Sequence, residues 1–464
     1  MGGPEYCGVR SLHFRLENAL VTEPFEQNES NVRYYCRRYP VVFSRGHGST
    51  LITEDGKSYL DFLSGAGSLN YGHNNPQLRA ALLKYITEEG VTLSLDMYSV
   101  AKRDFLSAFE QIILKKRNLN YKVQFTGPTG TNAVEAAMRL ARKVTGRNGI
   151  AAFTNAFHGM SLDALSATGN STLRGAARTP LPGVMRLPYD GYFGPEINTM
   201  QLIEKYLTDP SSGYDPPAAF LIETVQGEGG LNSISRAWFE RLCLFARKIG
   251  SLVIVDDIQA GCGRTGSFFS FEPLGEKPDM ICLSKSISGY GLPMSLVLIK
   301  PELDRWNPGE YNGTFRGNNH AFVTAAKALE CYWQDGTFEP QLAAKGLVIR
   351  RSLEKIVAEV PGTQIRGRGM MQGLWFERPE QAERVYAQAF SRGLIVETCG
   401  PRDEVVKLLP ALTIEEDELK QALTILRDAT LAAVSKGYCV TEVQKDGSSS
   451  TSGQKENKHA ALPT

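Results

Sequence analysis

The sequence predicts an α/β protein with a largely parallel central sheet and a smaller α/β domain drawn from both ends of the chain. Three observations carry this. The runs at 218–222 (AAFLI), 252–255 (LVIV) and 280–283 (MICL) are continuously apolar, as expected of strands covered on both faces. Each run stops on polar or charged residues: Glu223, the pair Asp256 and Asp257, and Ser284 with Lys285. Stretches with helical spacing intervene, such as Ala133, Ala136, Ala137, Leu140 and Val144, or the segment 238–249.

The strand ends define the candidate chemistry. Parallel strands ending at Asp256 and Lys285 present an acid and an amine at the same carboxyl edge, where open α/β sheets bind ligands. A lysine there can form a Schiff base with a carbonyl cofactor, and a buried aspartate keeps a pyridine nitrogen protonated and electron-withdrawing. That pairing belongs to pyridoxal phosphate chemistry. Taken singly, the commoner reading of Asp256 is a helix cap and that of Lys285 a solvated loop residue. Gln259 and the turn GCGRTG at 261–266, lying between them in this order, shift the balance.

Composition narrows the remaining classes. With 464 residues, 42% of them hydrophobic, and a formal net charge of +1, the chain has the size for a large and a small domain and no electrostatic signature of a nucleic-acid partner. No apolar run approaches the ~20 residues of a membrane span. The eight cysteines show neither CxxC nor CxxH spacing, so no metal site and no disulfide framework is expected, and the compartment expected is the reducing cytoplasm. Residues 1–27 mix Arg10 and Arg15 with Glu5, Glu17, Glu23 and Glu26 and lack an apolar core, so they read as a variable extension and not a presequence.

Along the chain, residues 28–75 read as the first part of the small domain, with a hairpin around Glu54, Asp55 and Gly56 and a glycine-rich stretch, GAGSLNYGHNNP. Residues 76–335 read as the large domain. It opens with helical scaffold, Leu78, Leu82, Leu83 and Ile86 sharing one face and Phe105, Phe109 and Ile112 another. The stretch VQFTGPTGTNAVEAAMRLARK follows, in which a strand, a loop with Gly127 and Gly130, and a helix either hold a phosphate at the first helical turn or form a plain βα turn capped by Thr131 or Asn132. Residues 336–440 read as the C-terminal part of the small domain, and 441–464, rich in Ser, Gly, Lys and Gln, as a disordered tail.

The acid pair, Gln259, the RTG turn and Lys285 together resemble the class III pyridoxal-phosphate aminotransferases, with Asp257 where many members carry Glu. The resemblance covers residues 31–437 and implies fold type I, with a mainly parallel seven-stranded sheet in the large domain. It implies pyridoxal 5'-phosphate as cofactor, Lys285 as its Schiff-base partner and proton shuttle, Asp256 on the ring nitrogen and Gln259 on the ring hydroxyl. By the same resemblance Gly130 and Thr131 hold the phosphate, Phe157 stacks on the ring with His158 shaping the turn beneath, and Glu223 lies near the cofactor face. Thr314 resembles the threonine that reaches the neighbouring subunit's phosphate, which implies a homodimer or larger homo-oligomer with shared sites; a plain N-cap or turn is the other reading of this residue. Glu228 is expected as a gate between ω-amino and α-amino acid substrates.

Substrate-facing positions are the most particular. Where many ω-amino acid aminotransferases of the class carry arginines to grip a carboxylate, this chain has Met160 and Lys407, and lysine lacks the bidentate fork. The strings VRYYCRRYPVVF, LPYDGYFG, LSKSISGYGLPMS and VVKLLPAL resemble one group of the class, the diaminobutyrate–2-oxoglutarate aminotransferases of the ectoine pathway. That resemblance implies transfer of an amino group from L-glutamate to aspartate 4-semialdehyde, with amino acids and oxo acids as small-molecule partners. A 4-aminobutyrate, ornithine or acetylornithine type, or an aminomutase or decarboxylase on the same scaffold, is the alternative. Asp163 and Ala411 are local departures from the group.

Overall fold

The computed structural model describes residues 22–181 and 183–435. The readings made for residues 1–21 and for the tail at 441–464 lie outside the described residues.

A seven-stranded sheet forms the centre, in the order Lys122–Phe125, Leu296–Ile299, Met280–Leu283, Leu252–Asp256, Ala219–Ile222, Ile150–Phe153, Val184–Leu187. Leu296–Ile299 runs antiparallel to both neighbours and the other pairings are parallel, so the sheet is mainly parallel as the sequence implied. Every residue of Ala219–Ile222 and Met280–Leu283 is buried, which explains their unbroken hydrophobicity. Ile254, Met280 and Cys282 pack in one core layer with Ala133, Ala136 and Ala137 of the helix Gly130–Thr145, small side chains that let helix and sheet approach. Val253 and Val255 point to the opposite face and join the core that includes Trp238, Phe239 and Leu242 of the helix Arg236–Ile249. Each such buried aliphatic or aromatic side chain contributes about 1.5–3 kcal/mol.

Two smaller sheets flank this centre. The expected hairpin is present, Thr50–Thr53 against Ser58–Asp61, with Phe43–His47 beside it. Leu394–Ile395 pairs in parallel with Leu60 and Asp61, which ties the C-terminal part of the chain to the N-terminal part. The third sheet, in the order Thr363–Arg368, Met371–Phe376, Val405–Leu408, Glu397–Cys399, is antiparallel.

The expected scaffold helix is present, with its apolar face largely exposed. Pro76–Thr87 is helical, capped by the Asn75 side chain on the amides of Gln77 and Leu78, yet only Leu78 is buried, while Leu83 and Ile86 are more than half exposed. The shared face is therefore not a core face within this chain, and Val91, Met97, Tyr98 and Val100, further along the chain, are exposed as well. Phe105, Phe109 and Ile112 are buried as expected. No helix of the described residues is long and apolar enough to cross a membrane.

Arg264, from the RTG turn, is fully buried and joins three distant parts of the chain. Its Nη2 donates to Asn70 Oδ1 at 2.6 Å, and its Nη1 donates to the carbonyls of Met370 and Pro410. Burial pushes the guanidinium down to about 9, with Asp61 opposing. Arg264→Met leaves those acceptors unsatisfied and is expected to lower stability by roughly 2–5 kcal/mol, read from the urea midpoint; an unchanged midpoint would contradict the clamp.

Candidate active site

The parallel register pairs Asp256 with Cys282, so the chain leaving Met280–Leu283 delivers Lys285 to the edge that carries Asp256. Lys285 sits there with a left-handed φ of 51°, a conformation that disfavours side chains and is common where function constrains the backbone. Both residues line one cavity, together with Gly130, Thr131, Phe157 and Gln259. His158, Glu223 and Glu228 complete the predicted residues on its wall.

Asp256 is held by His158, whose Nδ1 lies 2.8 Å from Oδ2, and by the Ile258 amide on Oδ1 at 3.2 Å. Burial would push the fully enclosed imidazole down, but the hydrogen bond and charge of Asp256, with Glu223 beyond, raise it instead. The sequence reading gave His158 only a turn-shaping role. The structure adds a contact with the key acid, across 98 positions of sequence and outside the reach of any local signal. Asp257 points the other way: it accepts the Ser270 amide at 3.0 Å, is fully buried, and is absent from the cavity wall. Burial pushes its carboxyl up to about 7, against the hydrogen bonds of Ser270. Alternation along the strand end thus assigns the two acids to different environments.

Glu223 accepts the amides of Phe157 at 3.0 Å and Gly227 at 3.2 Å, which ties together the two loops beneath the cavity. Burial raises its carboxyl to about 7, with the nearby His158 opposing. Burial also pushes the Lys285 amine below its ordinary value, with Glu228 opposing. No partner among the described residues holds that amine. Gln259 donates from Nε2 to Ala66 O at 3.1 Å and to Glu228 Oε1 at 3.2 Å, while its buried Oε1 has no partner. A Cβ on Gly227 would overlap that oxygen, a physical reason for glycine there.

The helix Gly130–Thr145 begins with a capping box between Thr129 and Asn132, so the N-cap is Thr129, ahead of the predicted Thr131 or Asn132, and Asn132 takes part from the third helical position. Gly130 and Thr131 occupy the first turn, whose amides have no partner within the helix. A Cβ on Gly130 would sit 2.8 Å from Ile258 Cδ1, and Thr131 Oγ1 lies 2.7 Å from Ser161 Oγ.

Three predicted residues are not brought to the cavity wall. Met160 is 52% exposed beside it, and Thr314 is exposed on the turn Thr314–Gly317. Lys407 is fully buried and engaged by Glu228 at 2.8 Å and Glu397 at 3.0 Å. Lys407, expected to recognise a substrate carboxylate more loosely than arginine or to leave that task to another residue, has its charge engaged by two acids. Burial works against the Lys407 ammonium, but Glu228 and Glu397 hold its pKa well above the ordinary value. Glu397, with no motif around it, was missed from sequence.

Comparison with known proteins agrees with this architecture. The family profile "Aminotransferase class-III" matches residues 34–430. A diaminobutyrate–2-oxoglutarate transaminase of Nocardia farcinica is 56% identical over 408 residues, covering 88% of this chain and 94% of that one. Its namesake in Vibrio cholerae is 55% identical over 409 residues, covering 88% and 99%. Among solved structures, the ornithine aminotransferase of Toxoplasma gondii superposes with a TM-score of 0.78 at 26% identity, covering 92% of this chain and 99% of that one. A second structure of that enzyme, at TM-score 0.78, 26% identity and coverage of 93% and 99%, has PLP at partial occupancy in its active site. A Bacillus anthracis aminotransferase, at TM-score 0.80, 22% identity and coverage of 90% and 99%, shares the fold.

The chain belongs to the class III aminotransferases. It is a transaminase of fold type I, its cofactor is pyridoxal 5'-phosphate, and its substrates are amino acids and oxo acids. The cavity fits that group: an unpartnered lysine amine, the orphaned Gln259 Oε1 for a hydroxyl donor, and a helix N-terminus for a phosphate all face one space. The ring of Phe157 also lines that space and pairs with no other aromatic ring among the described residues. Stacking on a planar ring there is worth about 0.5–1.5 kcal/mol beyond burial.

The raised carboxyl of Glu223 makes a pH prediction. Its ordinary value is 4.5 and its folded value about 7, so folding takes up a proton between these limits. The stability it contributes is fully present below the lower value and is lost as pH rises through the upper one. In cofactor-free protein, Glu223→Gln is expected to make the fall of the urea midpoint across this window shallower; a slope as steep as the parent's would contradict the assignment.

Proposed function

We propose that this chain transfers an amino group from L-glutamate to aspartate 4-semialdehyde, giving L-2,4-diaminobutyrate and 2-oxoglutarate, in a reversible reaction. The observation that carries this reading is the run of diaminobutyrate–2-oxoglutarate transaminases that match at 51–56% identity over nearly their whole lengths. The cavity supports it: apolar Met160 beside it and an already neutralised Lys407 remove the two cations on which a simple ω-amino acid enzyme would rely.

Pyridoxal phosphate supplies a carbonyl that accepts the amino group and a ring that stabilises negative charge on the adjacent carbon. The chain's own residues do the rest. Lys285 Nζ, its pKa lowered by burial, would act as base and then as acid within each half-reaction, taking the proton from the amine-bearing carbon and delivering it to the carbon of the former carbonyl. Asp256, oriented by His158, holds a proton at the ring nitrogen, and Gln259 Oε1 accepts from the ring hydroxyl. First-turn amides of Gly130 and Thr131 bind the phosphate. Glu228 stands on the wall as the gate between ω-amino and α-amino acid substrates.

The direct test measures purified enzyme with glutamate and aspartate 4-semialdehyde against succinate semialdehyde, glutamate 5-semialdehyde and N-acetylglutamate 5-semialdehyde as acceptors, identifying products by mass. Diaminobutyrate is expected to form with the highest kcat/KM, and Lys285→Ala to abolish it by a factor of about 10⁴ or more. A higher value for another acceptor would overturn the substrate assignment.

The working unit is a homodimer with shared sites. Support comes from Thr314, exposed and not among the residues lining its own cavity, and from the exposed apolar side chains Leu83, Ile86, Tyr98 and Phe315. Mixing unfolded and refolded Lys285→Ala and Thr314→Val chains is expected to restore, in mixed dimers, one site with both residues intact and with parental cofactor affinity. Absence of any such site in isolated mixed dimers would exclude sharing through Thr314.

A further inference from the structure

Four consecutive residues, Ser64, Gly65, Ala66 and Gly67, hold positive φ angles of 47°, 59°, 54° and 82°. Ser64 and Ala66 carry a Cβ that this conformation crowds against the following carbonyl; single glycines adopt it routinely, a whole turn does not. The turn is anchored on one side by Asp61, buried at the end of the strand Ser58–Asp61. Asp61 Oδ1 accepts the Leu63 amide at 2.8 Å and the Ser64 amide at 2.9 Å, and its Oδ2 lies 2.7 Å from His73 Nε2. On the other side two carbonyls of the turn reach the active site. Ala66 O accepts from Gln259 Nε2 at 3.1 Å, and Gly67 O accepts from Ser286 Oγ at 2.8 Å. Ser286 is buried, directly follows Lys285 and also accepts the Asn70 amide at 3.2 Å. Lys285, at φ 51°, is thus a second left-handed side chain one residue from this contact.

We propose that the left-handed turn 64–67 is a strained clasp that positions Lys285 through Ser286 and Gln259 through the Ala66 carbonyl, with Asp61 and Ser286 as positioning residues. The inference rests on the role given to Lys285 above and on no particular substrate. Neither Asp61 nor Ser286 is on the cavity wall, so each acts through a residue that is. Strained backbone persists only where its surroundings over-determine it, and it gathers where geometry serves function. Here the over-determination comes from both ends. Asp61 belongs to the sheet that joins the two ends of the chain: Leu394–Ile395 pairs with Leu60 and Asp61, and the Phe62 amide donates to Ile395 O at 2.9 Å. Gly67 O and Ala66 O are held by side chains that border the cofactor cavity or stand next to one that does. A relaxed turn would rotate the peptide planes at 65–67 and carry both carbonyls away from Gln259 and Ser286. The left-handed conformation is what lets one short turn grip both.

Two variants separate strain from support. Ala66→Gly removes the crowded Cβ and no hydrogen bond, whereas Ser286→Ala removes the hydroxyl that links the turn to Lys285. In holoenzyme the glutamate half-reaction is followed by the cofactor's absorbance, and the same absorbance is titrated with pH; the urea midpoint is measured on cofactor-free protein. Ala66→Gly is expected to raise the urea midpoint and to lower the half-reaction rate at saturating glutamate by about threefold or more, because a freer turn holds its carbonyls less firmly. Ser286→Ala is expected to lower that rate by about tenfold and to displace the pH midpoint of the cofactor's absorbance, with the KM for glutamate within about twofold of the parent's. A merely structural role for Ser286 would lower the urea midpoint and leave rate, KM and absorbance titration as in the parent. That result, or an Ala66→Gly midpoint no higher than the parent's, would overturn the inference. Should Ser286→Ala not fold, Ala66→Gly decides alone: a raised midpoint with a lowered rate supports the clasp, and an unchanged rate overturns it. Failure of the role given to Lys285 is seen separately, as amine-dependent spectral change that survives in Lys285→Ala.

Discussion

The register between Leu252–Asp256 and Met280–Leu283 is the constraint on which the site depends. With Asp256 opposite Cys282, the two strands end together, and the acid and the amine reach the same space from chain positions 29 residues apart. A shift by one residue would turn Asp256 into the core and bring Asp257 to the cavity. Such a shift is opposed on both faces, because Ile254 packs with the helix Gly130–Thr145 while Val253 and Val255 pack with the opposite layer. The hydrophobic pattern of the strands thereby determines which carboxylate does chemistry.

The second organising feature is the treatment of buried charge. Taking an ionised group out of water is costly unless partners replace the solvent. Asp256 has His158 and an amide, Glu223 has two amides, Lys407 has two carboxylates, and Arg264 has three oxygen acceptors. Against this background, three groups without a partner among the described residues are gathered in one place. The Gln259 Oε1, the Glu228 Oε2 and the Lys285 amine all belong to residues lining one cavity, and each has the chemistry of a group that acquires its partner when cofactor or substrate arrives.

Much of this was legible in the linear chain, and the reasons are local. Fully covered parallel strands need unbroken aliphatic runs, so 219–222 and 280–283 announced themselves, and charge beginning where such a run ends marked Glu223, Asp256 and Lys285. Gly130 was readable as part of a turn before a helix, but its approach to Ile258, like that of Gly227 to Gln259, was not. The helix Pro76–Thr87 was legible but the exposure of its apolar face was not, because helical periodicity shows that a face is apolar and not what covers it.

What the sequence by itself determined is the fold class, the order of the strand-end residues and the resemblance to one family, since these follow from periodicity and from short motifs. The tertiary structure alone decided the partnerships of those residues. His158 behind Asp256 and Glu397 behind Lys407 bring together side chains from separate strands and loops, 98 positions apart in the first case. The first pair follows no spacing rule, and the second depends on the antiparallel register that sets Glu397 opposite Lys407, so the proximity in both is a product of how strands are ordered and registered.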